Sequence, residues 1–154
     1  GKSTSLGVSI GQLSESMAGN TIPKETETLL QLVHLYFTAP RKDKDAFESY
    51  KTRQKQLYAN LEADPQIFFN VEFQKMMTQN HPRGGGLPKP ENFDQISLDR
   101  SQQIYKERFA NAADFTFLFV GAVNEATLKP LLEKYIGSLP AQPKKENFKV
   151  YKKF

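Results

Sequence analysis

The chain has 154 residues, of which 38% are hydrophobic and 25% charged, and its formal net charge is +4. This balance excludes a disordered chain, and the length suffices for one domain with a buried core. The sequence contains no cysteine, which excludes disulfides and thiolate metal sites. No apolar run approaches the roughly 18 residues that a membrane-spanning helix needs, so we expect no membrane span.

The first third of the sequence predicts a β-hairpin followed by an amphipathic helix. Residues 2–19 contain short runs in which apolar and small or polar residues alternate, the pattern of two short strands. Asn20 and Pro23 then supply a capping residue and a proline near the first helical position. The helix must stop before Pro40. Its broad apolar stripe consists of Leu29, Leu30, Leu32, Val33, Tyr36 and Phe37.

The middle of the sequence predicts two further helices and a long loop. Asp43 or Asp45 caps the second helix, and the pair Asp64-Pro65 opens a third helix over residues 67–78. The apolar residues of this third helix include Phe68, Phe69, Phe73, Met76 and Met77. Residues 80–93 hold three glycines and three prolines, and we therefore expect them to be irregular.

The last third predicts a helix, a central strand and a final helix. Ser97 caps the fourth helix, and Asn124 caps a fifth helix that ends at Gly137. Between them, Phe115–Val120 reads FTFLFV and has no polar alternation. Such a run is typical of a strand that is covered on both faces, so we expect it at the centre of a sheet.

These elements predict an α+β fold in which an antiparallel or mixed sheet is packed by several helices. The predicted sheet is too small to stand alone, so we expect the domain to lack its first strands. We assign residues 1–140 to this domain and residues 141–154 to a linker or edge segment. The end of the chain is rich in lysine, with Lys144, Lys145, Lys149, Lys152 and Lys153 interleaved with Phe148 and Tyr151. A solvated linker is favoured there over a phosphate-binding tail.

The sequence offers few groups for catalysis or metal binding. His34 lies inside the apolar helix stripe, which favours a hydrogen-bonded core histidine, and His81 lies in the predicted loop. Two isolated histidines without cysteine do not form a recognisable zinc set. Gly84–Gly86 follows a helix and precedes a proline-rich segment, which favours a flexible connection over a phosphate-binding loop. We therefore predict no catalytic, cofactor-binding or metal-ligating residue in this chain.

Three segments, in order, resemble one protein family. The longest reads RFANAADFTFLFVGAVNEATLKPLLEKYIGSLP and resembles the end of a domain in the insulinase/pitrilysin-like zinc metallopeptidases. Upstream, ETLLQLVHLYFTAPRKDKDAF resembles the helix pair of that domain. NHPRG and LPKPENFDQISLDRSQQIYKERF resemble its loop and next helix. The resemblance covers roughly residues 5–140.

The resemblance implies a parent protein that is a zinc-dependent endopeptidase. Members of this family have four similar α+β domains in two halves that close around a substrate chamber. The first domain holds zinc through H-x-x-E-H and a further Glu. This chain has no H-x-x-E-H, and Tyr50 and Leu57 stand where the catalytic domain has acidic residues. A periplasmic or cell-envelope location also follows by analogy with bacterial members.

Two origins for such a chain are open: a catalytic domain truncated before its zinc helix, or a degenerate, non-catalytic repeat. Truncation explains the missing H-x-x-E-H but not the missing Glu. The TAPR turn and the ANAADFTFLFVG segment resemble the third domain of bacterial members, so the degenerate repeat is favoured. Its partners would be the other domains of the same polypeptide and a peptide substrate in the chamber. The alternative function is a partner- or nucleic-acid-binding helical module with a basic tail.

Overall fold

The computed structural model of this protein describes residues 1–11, 13–81, 84, 86–143, 147 and 150. Within these ranges, five α-helices accompany a two-stranded antiparallel sheet, which confirms the predicted α+β class. The chain divides into two compact units. Residues 1–41 and 104–154 form the first, here called the hairpin unit, and residues 42–103 form the second, the helical unit.

The hairpin unit begins with the predicted β-hairpin. Strands β1 (Ser5–Ile10) and β2 (Glu15–Asn20) pair antiparallel, with Leu6 opposite Gly19 and Val8 opposite Met17. Because successive side chains in a strand point to opposite faces, Leu6 and Met17 lie on one face, and both pack against the core. Gly19 is required for this packing. A Cβ at that position would lie 2.6 Å from the Ser5 carbonyl oxygen and 2.8 Å from Leu6 Cδ1.

Two α-helices of the hairpin unit have the predicted breaks, but the predicted Asn20 cap is wrong, because Asn20 ends β2 and no side chain caps the helical entry at Pro23. Helix α1 (Thr26–Thr38) follows a 3-10 turn over Pro23–Glu25 and ends before Pro40, as predicted. Helix α5 (Glu125–Tyr135) begins at Asn124, whose side-chain oxygen accepts a 3.3 Å hydrogen bond from the Thr127 amide. Helix α5 ends at Tyr135, two residues before the predicted end at Gly137.

The core of the hairpin unit is built around Phe109. This residue is 2% exposed, and its ring stacks on Tyr105 at 4.7 Å and on Phe115 at 5.3 Å. Phe37 meets the Phe109 ring edge-on, with 5.6 Å between ring centres. Apolar residues at helical spacing on α1, together with the chain after helix α4 (Leu98–Arg108), supply the remaining contacts. The buried core cluster is Val33, Phe37, Phe109, Ala112 and Leu139.

The prediction of a central strand at Phe115–Val120 is wrong in two respects. Among the described residues β1 and β2 alone form a sheet, and no strand is assigned at 115–120. Burial nevertheless alternates residue by residue there, which is the period of an extended chain. Phe115 and Phe117 pack against the core, whereas Leu118 is 83% exposed and Val120 is 87% exposed. Local β propensity cannot make a strand, because the ladder needs a partner.

The helical unit contains α2 (Lys44–Glu62), α3 (Pro65–Met77) and a 3-10 helix over Pro90–Gln95. It also contains the start of α4. The predicted caps are confirmed, since Asp43 accepts from the Ala46 amide at 2.9 Å and Asp64 accepts from the Gln66 amide at 2.8 Å. Ser97 Oγ likewise accepts from the Arg100 amide at 3.3 Å. The prediction of irregular structure for the whole of 80–93 is wrong at its end, where the 3-10 helix begins.

Packing in the helical unit leaves one helix with a largely exposed apolar surface. Phe93 is buried, its ring lies 5.1 Å from that of Tyr58, and Lys55 Nζ lies 2.8 Å from both Asp94 carboxylate oxygens. The half-buried residues of helix α3 are Ile67, Val71 and Lys75, and the rest of the helix is exposed. Five large apolar side chains of α3 are half or more exposed: Phe68, Phe69, Phe73, Met76 and Met77.

Candidate binding groove

An open groove of about 1500 Å³ lies within the hairpin unit. Its least exposed lining residues are Leu30, Val33 and Phe37 of α1, which form an apolar floor. Most of β2 forms one side, and the continuous stretch 113–124 forms the other. The groove therefore separates a paired strand from an extended segment above one apolar helix.

The side formed by residues 116–120 presents backbone groups as well as side chains. No backbone–backbone hydrogen bond joins these residues to any other part of the chain that the structure describes. Backbone N–H and C=O groups are obligatory hydrogen-bonding groups, so those of 116–120 need water or a partner outside the described backbone. An extended segment in this state can accept an added strand.

One end of the groove is charged. Arg108, the last residue of α4, places Nε 3.4 Å from Glu15 Oε1 at the start of β2. Both residues line the groove. This ion pair joins the hairpin to the end of α4, and its half-exposed position makes it a modest contribution to stability.

A second polar cluster joins α1 to α5. Glu27 Oε1 accepts hydrogen bonds from the Tyr135 hydroxyl at 2.8 Å and from Lys134 Nζ at 3.1 Å. The Tyr135 hydrogen bond, and then Lys134, lower the pKa of Glu27. The Tyr135 hydroxyl, and then Glu27, raise the pKa of Lys134. Gln31 Nε2 donates to the Tyr135 hydroxyl at 3.1 Å, which completes a helix–helix contact made of charged and polar groups.

The two histidines have structural hydrogen bonds near them. His34 Nδ1 donates to the Tyr135 carbonyl at 2.9 Å, the hydrogen bond that the sequence interpretation expects, although its ring is half-buried. His81 lies in a tight turn in which its amide donates to the Thr78 carbonyl at 2.9 Å. Its own carbonyl accepts from the Gly84 amide at 2.7 Å. A Cβ at Gly84 would lie 2.3 Å from Thr78 Oγ1, so a larger residue would clash with Thr78 at this position.

Tyr105 is the most strongly perturbed titratable group among the described residues. Its hydroxyl donates to the Tyr36 carbonyl at 2.8 Å. Burial, with a smaller effect of Tyr36, raises the pKa of Tyr105 to about 12. This keeps the phenol protonated as a donor to the last turn of α1, and it gives the residue a structural role in the core.

The described residues do not fit a zinc site. No group of three or more His, Cys, Asp or Glu side chains within them is placed to hold a metal ion. Tyr50 and Leu57, which the family resemblance aligns with acidic positions, lie on α2 with roughly half of each side chain exposed. We derive no chemical step through zinc for these residues. The same ranges contain no helix long and apolar enough to cross a membrane.

Two sequence predictions fall on residues that the structure does not describe. The basic tail of Lys144, Lys145, Lys149, Lys152 and Lys153 lies outside the described ranges, as does Gly85 of the glycine run. The assignment of residues 141–154 to a linker or edge segment therefore stays a prediction. The groove itself was not predicted, although FTFLFV carried a signal for it, because apolar residues on both faces of a segment require a cover.

The chain is distantly similar to a zinc protease. Over 136 residues it is 21% identical to the protein named "Probable zinc protease PqqL" from Haemophilus influenzae. The aligned region covers 87% of this chain and 14% of that protein. No protein-family model and no solved structure matches the chain. The likeness thus relates nearly the whole chain to a small part of a much longer protein.

Proposed function

We propose that this chain is a non-catalytic structural domain of a zinc-dependent endopeptidase of the insulinase/pitrilysin-like family, and that it forms part of the chamber that encloses the substrate. The observation that carries this proposal is the similarity to a zinc protease across 87% of the chain. Because the similarity covers 14% of the protease, the parent has ample room for a catalytic domain elsewhere.

The donor chemistry of the chain supports a non-catalytic role. Peptide hydrolysis of this class needs zinc to polarise the carbonyl and a Glu to act as base. The sequence has no H-x-x-E-H, and helix α2 carries Tyr50 and Leu57 in place of the acidic residues of the catalytic domain. We therefore assign zinc and the Glu base to another domain of the parent protein.

The exposed surface of α3 supports packing against other domains. Phe68, Phe69 and Phe73 are each half or more exposed on one short helix, and Met76 and Met77 extend the same apolar surface. Contiguous apolar surface of this kind marks an interaction site in a folded protein. In the proposed chamber wall, other domains of the same polypeptide would cover it.

The full parent reading frame and zinc analysis test the proposal together. We expect an H-x-x-E-H domain several hundred residues upstream of Gly1. Chelator-treated parent protein, reconstituted with zinc, should bind stoichiometric zinc by mass spectrometry and cleave a quenched fluorescent peptide. Residues 1–154 treated in the same way should do neither. Stoichiometric zinc bound to residues 1–154, or a parent without H-x-x-E-H, would overturn the proposal.

The position of the motif also separates the two origins of the chain. If H-x-x-E-H lies in a separate domain far upstream, the chain belongs to a degenerate repeat. If the motif lies in the segment directly before Gly1, the chain is the end of the catalytic domain, and the non-catalytic assignment is wrong. A metal-site variant of the motif should abolish cleavage by the parent and serves as the control for contaminating protease.

A further inference from the structure

We propose that the groove of the hairpin unit is a gap in a β-sheet, filled in the parent protein by at least one β-strand from a part of the same polypeptide outside residues 1–154. The inference rests on the proposed function in one respect, since the proposed function makes this chain part of a longer polypeptide. The observations that carry it are the extended segment 115–120, which has no pairing partner among the described residues, the volume and lining of the groove, and the lack of another described strand to fill it.

The segment 115–120 has the properties of a strand that lacks a neighbour. Its burial alternates with period two, and its inner residues Phe115 and Phe117 already pack on Phe37. Its outer residues Leu118 and Val120 are apolar but almost fully exposed. Alternation fixes the two faces, so pairing the segment with a strand requires no rearrangement of its inner face.

The volume of the groove is compatible with an inserted strand. A strand of six residues is about 20 Å long and, at ordinary strand and sheet spacings, occupies about 1000 Å³. The groove, at about 1500 Å³, is therefore large enough for one such strand. The inserted strand would pair with residues 116–120 on one side and lie beside β2 on the other.

The floor defines the chemistry of the occupant. From α1 the groove is lined by Thr26 and Glu27 at the start of the helix and, further along, by Leu30, Val33 and Phe37, which are at most 9% exposed. A strand laid over them should therefore carry Val, Ile, Leu or Phe at every second position toward α1. Because Leu118 and Val120 give the opposite face an apolar surface, the alternate positions should also be largely apolar. The expected occupant is thus a short segment with strand propensity that is apolar on both faces.

A second copy of residues 1–154 fits the groove less well than the same polypeptide does. The strands among the described residues are β1 and β2, and these already pair with each other. Residues 115–120 form one side of the groove, so a second copy has no free described strand to insert. A strand in the same polypeptide, in contrast, binds at the high effective concentration of an intramolecular contact.

Hydrogen–deuterium exchange tests the proposal in the intact parent protein and in residues 1–154. In the parent, we expect amides of residues 116–120 to exchange on the order of 100-fold more slowly than in residues 1–154, because a sheet ladder protects them. Amides in the middle of α1 serve as the internal control and should exchange at similar rates in the two proteins.

Three results would overturn the proposal. Equally fast exchange of residues 116–120 in the parent and in residues 1–154 would show that the groove stays open. Protection already present in residues 1–154 at all concentrations would assign the groove to the chain's own tail. Protection that grows with concentration would assign it to a second copy.

A matched pair of substitutions gives a second measurement. Leu118→Asn should leave the thermal midpoint of residues 1–154 almost unchanged but lower that of the parent, because only there would an inserted strand place an apolar cross-strand neighbour beside Leu118. Leu35→Asn, at a half-exposed residue of α1 outside the groove, should have similar effects in both. Equal effects of Leu118→Asn in the two proteins would contradict the proposal.

These readouts are independent of the proposed function. If a zinc-loaded parent cleaves peptide while residues 116–120 exchange fast, the strand insertion is wrong and the endopeptidase role stands. Protected amides in a parent that binds no zinc and cleaves no peptide would have the opposite meaning.

Discussion

The β-hairpin and the segment 115–120 differ in strand pairing, and in both regions the pairing is the opposite of what local β propensity predicts. The strands SLGVSI and ESMAGN contain glycine, serine, alanine and asparagine, yet they pair along their six-residue lengths. FTFLFV consists of far better strand formers and pairs with no other described residue. The difference lies in the availability of a partner. A short turn closed by the Gly11 amide and the Ser14 carbonyl joins β1 to β2, whereas 115–120 lies next to an open groove.

The hairpin and the segment 115–120 both pack against the core around Phe109. Disrupting that core should give the largest loss of stability. Phe109→Ala would delete the ring on which Tyr105, Phe115 and Phe37 pack, with an expected loss of about 3–5 kcal/mol in the free energy of unfolding. Urea denaturation followed by circular dichroism measures this loss. Leu35→Ala, on the exposed side of α1, is the control and should cost far less. Equal costs would show that the Phe109 cluster is not the core of this unit.

The hairpin side of the comparison depends on close packing at one glycine. Gly19→Ala should destabilise the protein by about 1–3 kcal/mol, because the added Cβ meets the Ser5 carbonyl, Leu6 and Leu29 within 3.0 Å. Gly7→Ala is the matched control in the partner strand, where a Cβ meets nothing within 4 Å. We expect Gly7→Ala to be neutral or stabilising by up to about 1 kcal/mol. A Gly19 variant as stable as the Gly7 variant would contradict the observed hairpin packing.

The segment side of the comparison can be tested with adjacent residues on opposite faces. In residues 1–154, Phe117→Ser should cost about 1–2 kcal/mol, because this half-buried ring packs on Phe37. Leu118→Ser should change the free energy of unfolding by no more than about 0.5 kcal/mol, since Leu118 is exposed. Thermal unfolding of the two variants measures the difference. A cost for Leu118→Ser that matches that of Phe117→Ser would mean that both faces are already covered.

The smallest effect should come from the exposed polar contact between α1 and α5, which lies apart from both regions. Hydrogen bonding to Tyr135 and Lys134 lowers the pKa of Glu27 from its ordinary 4.5, so the stability that Glu27 provides is present above that pH. It is lost as the pH falls through the lowered pKa of the folded protein. The melting temperature of Glu27→Gln should be slightly below that of the wild type at neutral pH.

That small difference should disappear in strong acid, where Glu27 is protonated in both the folded and the unfolded protein. Glu133→Gln, on the exposed surface of α5, is the control for a loss of charge without these hydrogen bonds. A Glu27→Gln difference that persists in strong acid would show that the contact does not depend on the carboxylate.

Local signals in the sequence predicted most helix ends and caps. Asp64, Ser97 and Asn124 accept hydrogen bonds from their own first turns, and this chemistry depends only on residues two or three positions away. The hairpin was predictable for the same reason, since its strands are close in sequence. The exposure of Phe68, Phe69 and Phe73 on α3 could not be predicted, because it depends on which other elements reach that helix.

The groove and the state of 115–120 could not be predicted for a related reason. FTFLFV indicates that a cover is needed on both faces but not whether the cover is present within the chain. The His34 hydrogen bond to the Tyr135 carbonyl was expected in kind, but its partner lies 101 residues away and carries no local signal. The zinc-protease resemblance came from the order and length of long segments, and the distant similarity supports it at that coarse level.

The hydrogen bond from Tyr105 to the Tyr36 carbonyl also gives this protein an optical reporter of its own folding. The chain has six tyrosines and no tryptophan, so tyrosines dominate its near-ultraviolet absorbance. A phenol whose pKa is raised from 10.0 to about 12 remains protonated at alkaline pH values at which a free phenol ionises. Between these two pH values the folded unit loses stability, because the unfolded chain releases the Tyr105 proton first. Delayed ionisation of one tyrosine in a spectrophotometric titration would thus mark an intact hairpin unit without any added label.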